Sequence, residues 1–583
     1  FALLIILSML ITSVGFAEDG QMHRRNVSHT PDQETERANL NHMSFYVPAQ
    51  SSNGTLLTEG IDYYSVSDES NPVDTRYYAK PLVAVYIDAL PDEAADLGSG
   101  GAGIGAHDAH AALSLDDGAT WKRTNLSLSA DLSSFTLKDG TPFPGDAHNM
   151  TFAIAGDKVL VGWISKYCDG GSPLYTLPDE EVDALQLEFG LPDLYVADIW
   201  GVAGAQTSVD YTLQGYPEVG EIPYSCVWSA RGQLLLDDET GLYDIVWTKA
   251  ERLTSGRRDA NRLEMNGDSA AGFMMTWQED PEGLRPGQGL GPGEGWSGAV
   301  VNQQTDLWYS FISMDDFVMV MSDDSDTETP VDIALYEGDT TPKAAVPMAM
   351  PIRLSDNKMC KATGSDLYCY VDFNTDEVDG VVNAYVNTDL PVDLSTISQS
   401  SSSTFCASTV SWTTPAGTTT LNLCEAEDGR VLGGRVGASR PRVNVQPYNS
   451  LFVVDEVDDT TEYDGAIVIM GAEESKALGE GSTADDAEIE DIGKNMWYYS
   501  FDLANPSFLM QGGMLNQPAK DPLTGEFFEL LEDDFLNPFY ETEISRRFSH
   551  FSQPTHQFGD EGIGAVLIVK QGIINQGGPA DIF

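Results

Sequence analysis

Alternating apolar and polar positions, punctuated by turn residues, run through most of this chain. "GDKVLVGWIS" (156–165), "AAGFMMTWQED" (270–280), "DGAIVIMGAEE" (464–474) and "IGAVLIVKQG" (563–572) are apolar runs at or just after a turn, the pattern of well-buried strands. Each is preceded by a more polar strand: "DAHNMTFAI", "RRDANRLEM", "RPRVNVQPY" and "RRFSHFSQP", with "RYYAKPLVAVYIDA" as the opening of an earlier unit. Aromatic-rich third strands are expected at "DLYVADIWG", "TDLWYSFIS", "KNMWYYSFD" and "GGPADIF". Closing strands are expected at "TWKRTNLS", "VWTKAERLT", "MPIRLS" and "TEIS". The repeat is therefore a four-stranded antiparallel unit, opening near Arg76, His148, Arg258, Arg442 and Arg546. Radial repetition of such units shields sheet edges, so the fold class is all-β, a β-propeller of four-stranded antiparallel blades. One helical pattern, "PDEEVDALQLEFG" (178–190), falls in an insertion.

The units are interrupted. Residues 357–435 hold four cysteines, the run "STISQSSSSTF" and short β-prone pieces, and read as a small disulfide-stapled β insertion. The expected partition is an export signal over 1–17, truncated at its front, and an N-terminal arm over 18–66. The propeller then occupies 67–356 and, after the insertion, 436–583, short at its C-terminus. The signal reading rests on the apolar run 2–16 and the Gly15-Phe16-Ala17 cleavage site. Six cysteines fit an oxidising compartment. Cys168 is expected to pair with Cys226, and Cys360, Cys369, Cys406 and Cys424 among themselves. The protein is thus expected to be secreted or displayed at the cell surface.

Charge narrows the partners. With 91 acidic against 31 basic residues the net charge is −60, which repels nucleic acid and anionic membrane. Against that background Arg76, Arg257, Arg258, Arg440, Arg442, Arg546 and Arg547 all stand at or just before opening strands. If these converge, Arg76, Arg258, Arg442 and Arg547 form an axial face whose guanidinium forks hold a carboxylate or sulfate. The loop "GLRPGQGLGPGEGW" (283–296) would place Trp296 beside it as a stacking platform. The alternative is that each arginine pairs with an acidic neighbour and pins the sheets together.

"SLDDGATWKR" (114–123) fits Ser-x-Asp-x-Gly-x-Thr-Trp, an Asp box, and with the blade pattern resembles sialidase-like propellers. Ser114, Asp116, Gly118 and Trp121 are assigned a structural task there, the closing of a turn and the packing of an indole. A second resemblance is carried by "ERLTSGRRDANRLEM", "TWQEDPEGLRPGQGLGPGEGWSGAVVNQQTDLWYSFIS", "QGGMLNQPAKDPLTGEFFELL" and "ETEISRRFSHF…KQGIINQGGPADIF". These are similar to bacterial surface proteins called choice-of-anchor O, which implies envelope anchoring through a further C-terminal segment.

Three functions stay open: binding of an extracellular glycan or other anionic polymer, sialidase-like glycoside hydrolysis, and copper or calcium binding. The sialidase resemblance implies three arginines, a Tyr nucleophile backed by Glu, and an Asp acid/base, but no residue pattern here assigns catalytic positions among so many carboxylates. His107, His110, His148 and Met150 are the candidate copper ligands. The acidic runs "DDSDTET" (323–329) and "EDDF" (532–535) are candidates for calcium, without EF-hand spacing. No cofactor is firmly implied.

Overall fold

The computed structural model describes residues 27–29, 35–65, 68–89, 107–127, 133–136, 142–144, 147–168, 208–210, 212, 221–254, 256, 258–280, 305–320, 342–344, 346, 348–349 and 351–354. Beyond these it describes strands at 361–363, 366–368, 376–378, 381–383, 408–414, 417–425, 431–432, 437–447, 466–475, 495–502, 509–514, 530–532, 538–540, 544–557, 563–572 and 580–582. Among the described residues the fold is all-β, with no helix.

Five antiparallel meander sheets form the body. The first contains β1 (Thr35–His42), β2 (Leu82–Ala89), β3 (His107–Ser114) and β4 (Lys122–Asn125). The second contains β5 (Ala147–Ala155), β6 (Lys158–Ser165), β7 (Cys226–Asp237) and β8 (Leu242–Trp247), with the short strand Glu251–Arg252 also on β7. The third contains β9 (Asp259–Asp268), β10 (Gly272–Asp280), β11 (Asp306–Ser313) and β12 (Ile352–Arg353). The fourth contains β13 (Gly437–Pro447), β14 (Ala466–Ser475), β15 (Asn495–Asp502) and β16 (Leu509–Met514). The fifth contains β17 (Ile544–Gln557), β18 (Ile563–Gly572) and β19 (Ala580–Ile582).

The second strand of each of the first four sheets is apolar almost throughout because both of its faces are covered. On β6, Val159, Val161 and Trp163 pack against Val83, Val85 and Ala111 of the first sheet. Leu160 and Ile164, on the opposite face, meet Leu263, Met275 and Trp277 of the third. Met274, Leu307 and Tyr309 then cover Val468, Met470 and Tyr499 of the fourth. Gly162 permits the closest approach: a Cβ there would lie 2.7 Å from Met275 Cε and 2.9 Å from Leu263 Cδ2. Opening strands β1, β5, β9, β13 and β17 touch in succession, so the sheets follow one another side by side.

Two expectations on strand order change. The first sheet opens at β1, not near Arg76; Arg76 ends the strand Asp68–Arg76, which forms a separate exposed hairpin with Ile61–Ser65. The third strand of the second sheet is β7, "CVWSARGQLLLD", whose Trp228 lies opposite Trp163. Residues 193–201, expected there, lie outside the described part, as do 178–190. Within the N-terminal arm, Val47–Pro48 pairs with Tyr78–Ala79, and Gln50–Ser51 with Thr55–Leu56. The export signal also lies outside the described residues, among which no helix is long and apolar enough to cross a membrane.

Cys168 and Cys226 form a disulfide with Cα atoms 5.7 Å apart, joining the end of β6 to the start of β7. Cys360, Cys369 and Cys406 are outside the described residues. Cys424 lies on the strand Gly417–Glu425 within the 357–435 segment, its side chain outside them.

Candidate functional site

Each opening strand carries a register shift, and in three consecutive sheets it falls at the same place. The shifts lie between His148 and Thr151, between Asn261 and Glu264, and between Ser439 and Arg442. The extra residue in each takes a left-handed backbone: Asn149 at φ 52°, Arg262 at 58° and Arg440 at 53°. Such bulges re-aim side chains, and a left-handed arginine costs energy that the surroundings must offset. Contacts across the sheet seams supply part of that. Asn149 Nδ2 donates to Asn261 Oδ1, which also accepts the Arg262 N–H at 2.8 Å. The Arg440 N–H donates to Gln278 Oε1 at 2.8 Å.

The end of the first, third and fourth sheets where the opening strand begins carries buried charge. Asp88 and Asp108 sit there in the first sheet; Asp259, Glu279, Asp280 and Asp306 in the third; Glu473 in the fourth. Long connections leave from this same end, at 90–106, 166–225, 281–305 and 476–494, whereas the opposite turns at 156–157 and 269–271 are tight. Rigid sheet ends beneath long loops are where folds of this kind carry function.

The half-exposed cation at that end is Arg258. Its guanidinium lies 4.7 Å from the ring centroid of Trp308, and its Nη1 is 3.5 Å from Glu279 Oε2. Glu279 also accepts the Trp277 Nε1–H at 2.8 Å. Asp306 stands directly opposite Glu279 across β10 and β11. Burial pushes the Glu279 carboxyl up, Asp306 adds to the rise, and Arg258 with the indole N–H draws it back. The buried Trp308 Nε1 has no hydrogen-bond partner among the described residues. Beside this group Lys166 Nζ approaches Asp259 Oδ1 at 3.2 Å, which also accepts the Ser225 N–H at 2.8 Å.

Of the predicted arginines, the three with described side chains, Arg76, Arg258 and Arg442, have separate partners. Arg76 pairs with Asp74 at 2.9 Å on the exposed hairpin, over the Tyr63 ring. Arg442 pairs with Glu264 of the adjacent opening strand, and these two hold the same position relative to their bulges. Arg258 precedes β9 altogether, so it is not the equivalent of Arg442. The described arginines of the predicted face thus each meet a carboxylate, but only Arg442 pairs with the adjacent sheet; Arg76 and Arg258 pair within their own hairpin and sheet. Arg547 lies on β17, where side chains are outside the described residues, and Trp296 is outside them too. The loop that carries Trp296 nevertheless leaves β10 at Asp280, next to Glu279.

The metal candidates are dispersed. His107 and His110, three apart on β3, project from opposite faces of the sheet. His110 stacks on Tyr86 with centroids 5.4 Å apart; burial lowers the affinity of its imidazole for a proton and pushes the Tyr86 hydroxyl up to about 12. Met150 is core between the first two sheets, and His148 is on β5. Among the described residues no group of three or more His, Cys, Asp or Glu side chains could hold a metal ion. Runs 323–329 and, but for Glu532's backbone, 532–535 are outside them.

The turn 114–121 folds on itself. Ser114 Oγ donates to Asp116 Oδ1 at 2.8 Å, Asp116 accepts the Thr120 N–H at 2.8 Å, and Trp121 Nε1 donates to the Gly118 carbonyl at 3.1 Å. Gly118 takes φ 83°, which its missing side chain allows. This turn lies at the opposite end of the sheet from the buried charges.

Glu279, Trp308, Asn149 and Arg262 were not singled out from the sequence. The signal that could have found the last two is the aligned "HNMT", "NRLE" and "SRPR", in which a polar pair interrupts strand alternation at one register.

No family model matches the chain, and no curated protein does. The resemblance to choice-of-anchor O proteins therefore gains no support from them. Solved structures with partial likeness include a Trypanosoma rangeli sialidase in complex with sialic acid, 11% identical with a TM-score of 0.17, over 74% of this chain and 56% of that one. Another is the Trypanosoma rangeli sialidase in complex with 2,3-difluorosialic acid, 10% identical with a TM-score of 0.19, over 79% and 52%. The chain spans about half the length of these sialidases, and at such TM-scores the likeness carries no argument about this site.

Proposed function

We propose that the five sheets are successive blades of a β-propeller that is exported and binds an extracellular glycan or other anionic polymer at its charged end. Arg258 is the anchoring cation. The observation that carries this reading is its setting: 27% exposed, braced on the Trp308 face and on Glu279, at the root of the 281–305 connection. A guanidinium held by an indole is oriented before a ligand arrives, so less entropy is lost on binding a carboxylate or sulfate. The excess of negative charge elsewhere makes that fixed cation selective, because an anion placed off it is repelled.

Titration calorimetry with 3′-sialyllactose and a chondroitin sulfate hexasaccharide tests the proposal. Arg258→Ala is expected to weaken binding at least tenfold at a temperature well below the midpoint of either protein, where both are folded. Equal affinity in the variant, or no binding of either probe to the wild type, overturns the reading.

A second reading, glycoside hydrolysis, is favoured by one observation. Glu279 is a buried carboxyl with raised proton affinity directly opposite Asp306, the arrangement a general acid requires. Release of the fluorophore from a sialoside, abolished in Glu279→Gln, supports it; activity retained in that variant removes Glu279 from the chemistry.

A further inference from the structure

At the opposite end from the buried charges, the seam between the first two sheets opens into a cleft of about 360 Å³. One wall is the hairpin of Gln50–Ser51 and Thr55–Leu56, and the other is the turn between β7 and β8. Gln50 clamps the hairpin to β8 as a strand neighbour would: its Nε2 donates to the Tyr243 carbonyl at 2.6 Å and its Oε1 accepts the Tyr243 N–H at 2.8 Å. The Asp-box turn fixes the hairpin tip. Ser52 N–H donates to Thr120 Oγ1 at 2.7 Å, and that hydroxyl donates to Asp116 Oδ2 at 2.6 Å. The cleft is therefore held in shape by hydrogen bonds from both sheets.

Its chemistry is mixed. Leu242 lines it with apolar surface over the nearly buried Leu113 and Leu115, while Asn53, Lys122 and Asp244 supply polar groups. Lys122 and Asp244 are paired with each other and about half exposed, and the Lys122 ammonium keeps donors to spare. Asn53 Oδ1 accepts from Ser51, leaving its amide nitrogen to donate. Asp237 accepts from Thr240 Oγ1 at 2.7 Å and from the Glu239 N–H at 2.9 Å, so its oxygens are held by its own turn. Two carboxylates against one ammonium disfavour an anionic ligand.

We propose that this cleft is a second binding site, for one or two rings of a neutral saccharide. The C–H face of a pyranose lies on Leu242, and its hydroxyls reach Asn53, Lys122 and Asp244. The volume is at the lower end of the range for small-molecule sites, which suits a ligand of that size. The site is independent of Arg258, so it stands or falls apart from the function proposed above. It also gives the Asp-box turn a task beyond closing its own sheet: the Asp116–Thr120–Ser52 chain positions a wall of the cleft.

The test is titration with cellobiose, lactose and N-acetyllactosamine. Asn53→Trp fills the mouth from an exposed turn, and Asp244→Ala removes a rim acceptor. Both variants are expected to lose affinity for the bound disaccharide at least tenfold, whereas Arg258→Ala leaves it unchanged. Unchanged affinity in Asn53→Trp, or no binding of any of the three at millimolar concentration, overturns the second site. A midpoint for Asn53→Trp within a degree or two of wild type shows that the loss is not unfolding.

Discussion

Arg231 is fully buried on β7, and its guanidinium meets Glu251 twice: Nε lies 2.8 Å from Oε1 and Nη2 donates to Oε2 at 3.1 Å. Its remaining donors reach the carbonyls of Asp316 and Val346, so one charge ties the second sheet to segments beside the third. Removing only the anion leaves that cation without compensation. Glu251→Gln is expected to cost about 3–5 kcal/mol in urea unfolding, and Arg231→Met with Glu251→Leu far less. Equal losses in the single and double variants would show that packing, not charge, decides the cost. At Glu279 the consequence is a pH dependence. Its carboxyl is raised above the ordinary value of 4.5 chiefly by burial, so the folded state holds the proton more tightly. That contribution to stability is complete below 4.5 and is lost as pH rises through the raised value. The stability of wild type relative to Glu279→Gln should therefore fall as pH rises above 4.5 in urea melts; a constant difference would contradict the raised carboxyl.

At the scale of elements, the bulged opening strand is the recurring device. Asn tolerates the left-handed backbone that Asn149 adopts, glycine adopts it freely, and a β-branched residue does not. Asn149→Gly is expected to change stability by well under 1 kcal/mol apart from the lost bond to Asn261, and Asn149→Val to cost about 2 kcal/mol. Thermal melts separate the two; an equally mild Val variant would mean the bulge is not obligatory. The strands themselves were legible in the sequence because apolar runs such as "KVLVGWIS" follow from burial on both faces. The Cys168–Cys226 pairing was legible because those two cysteines stand apart from the other four. The site was legible only in part. Arg258 was picked out by the scarcity of cations, but the register of Arg442 was not, and Trp296 lies outside the described residues. A bulge inserts one residue without changing composition, so arginines that look equivalent in the sequence fall at different heights. Glu279 was invisible for another reason: among 91 acidic residues only burial marks it, and burial depends on the neighbouring sheets.

For the whole molecule, the account rests on radial order. The first four sheets share cores with their neighbours, all five opening strands touch in succession, and the buried pair Lys166–Asp259 joins the second sheet to the third. An axis common to all five would place the long connections around one face, above Arg258. A stack without an axis would spread them along a line, and no ligand could touch more than two. Spin-label distances decide between these most directly. With one label at Leu40 on β1, a second is placed at Asn266 on β9 or at Ser552 on β17. Radial order predicts that the distance from the first sheet to the fifth is no longer than that from the first to the third. A first-to-fifth distance about twice the first-to-third would contradict it.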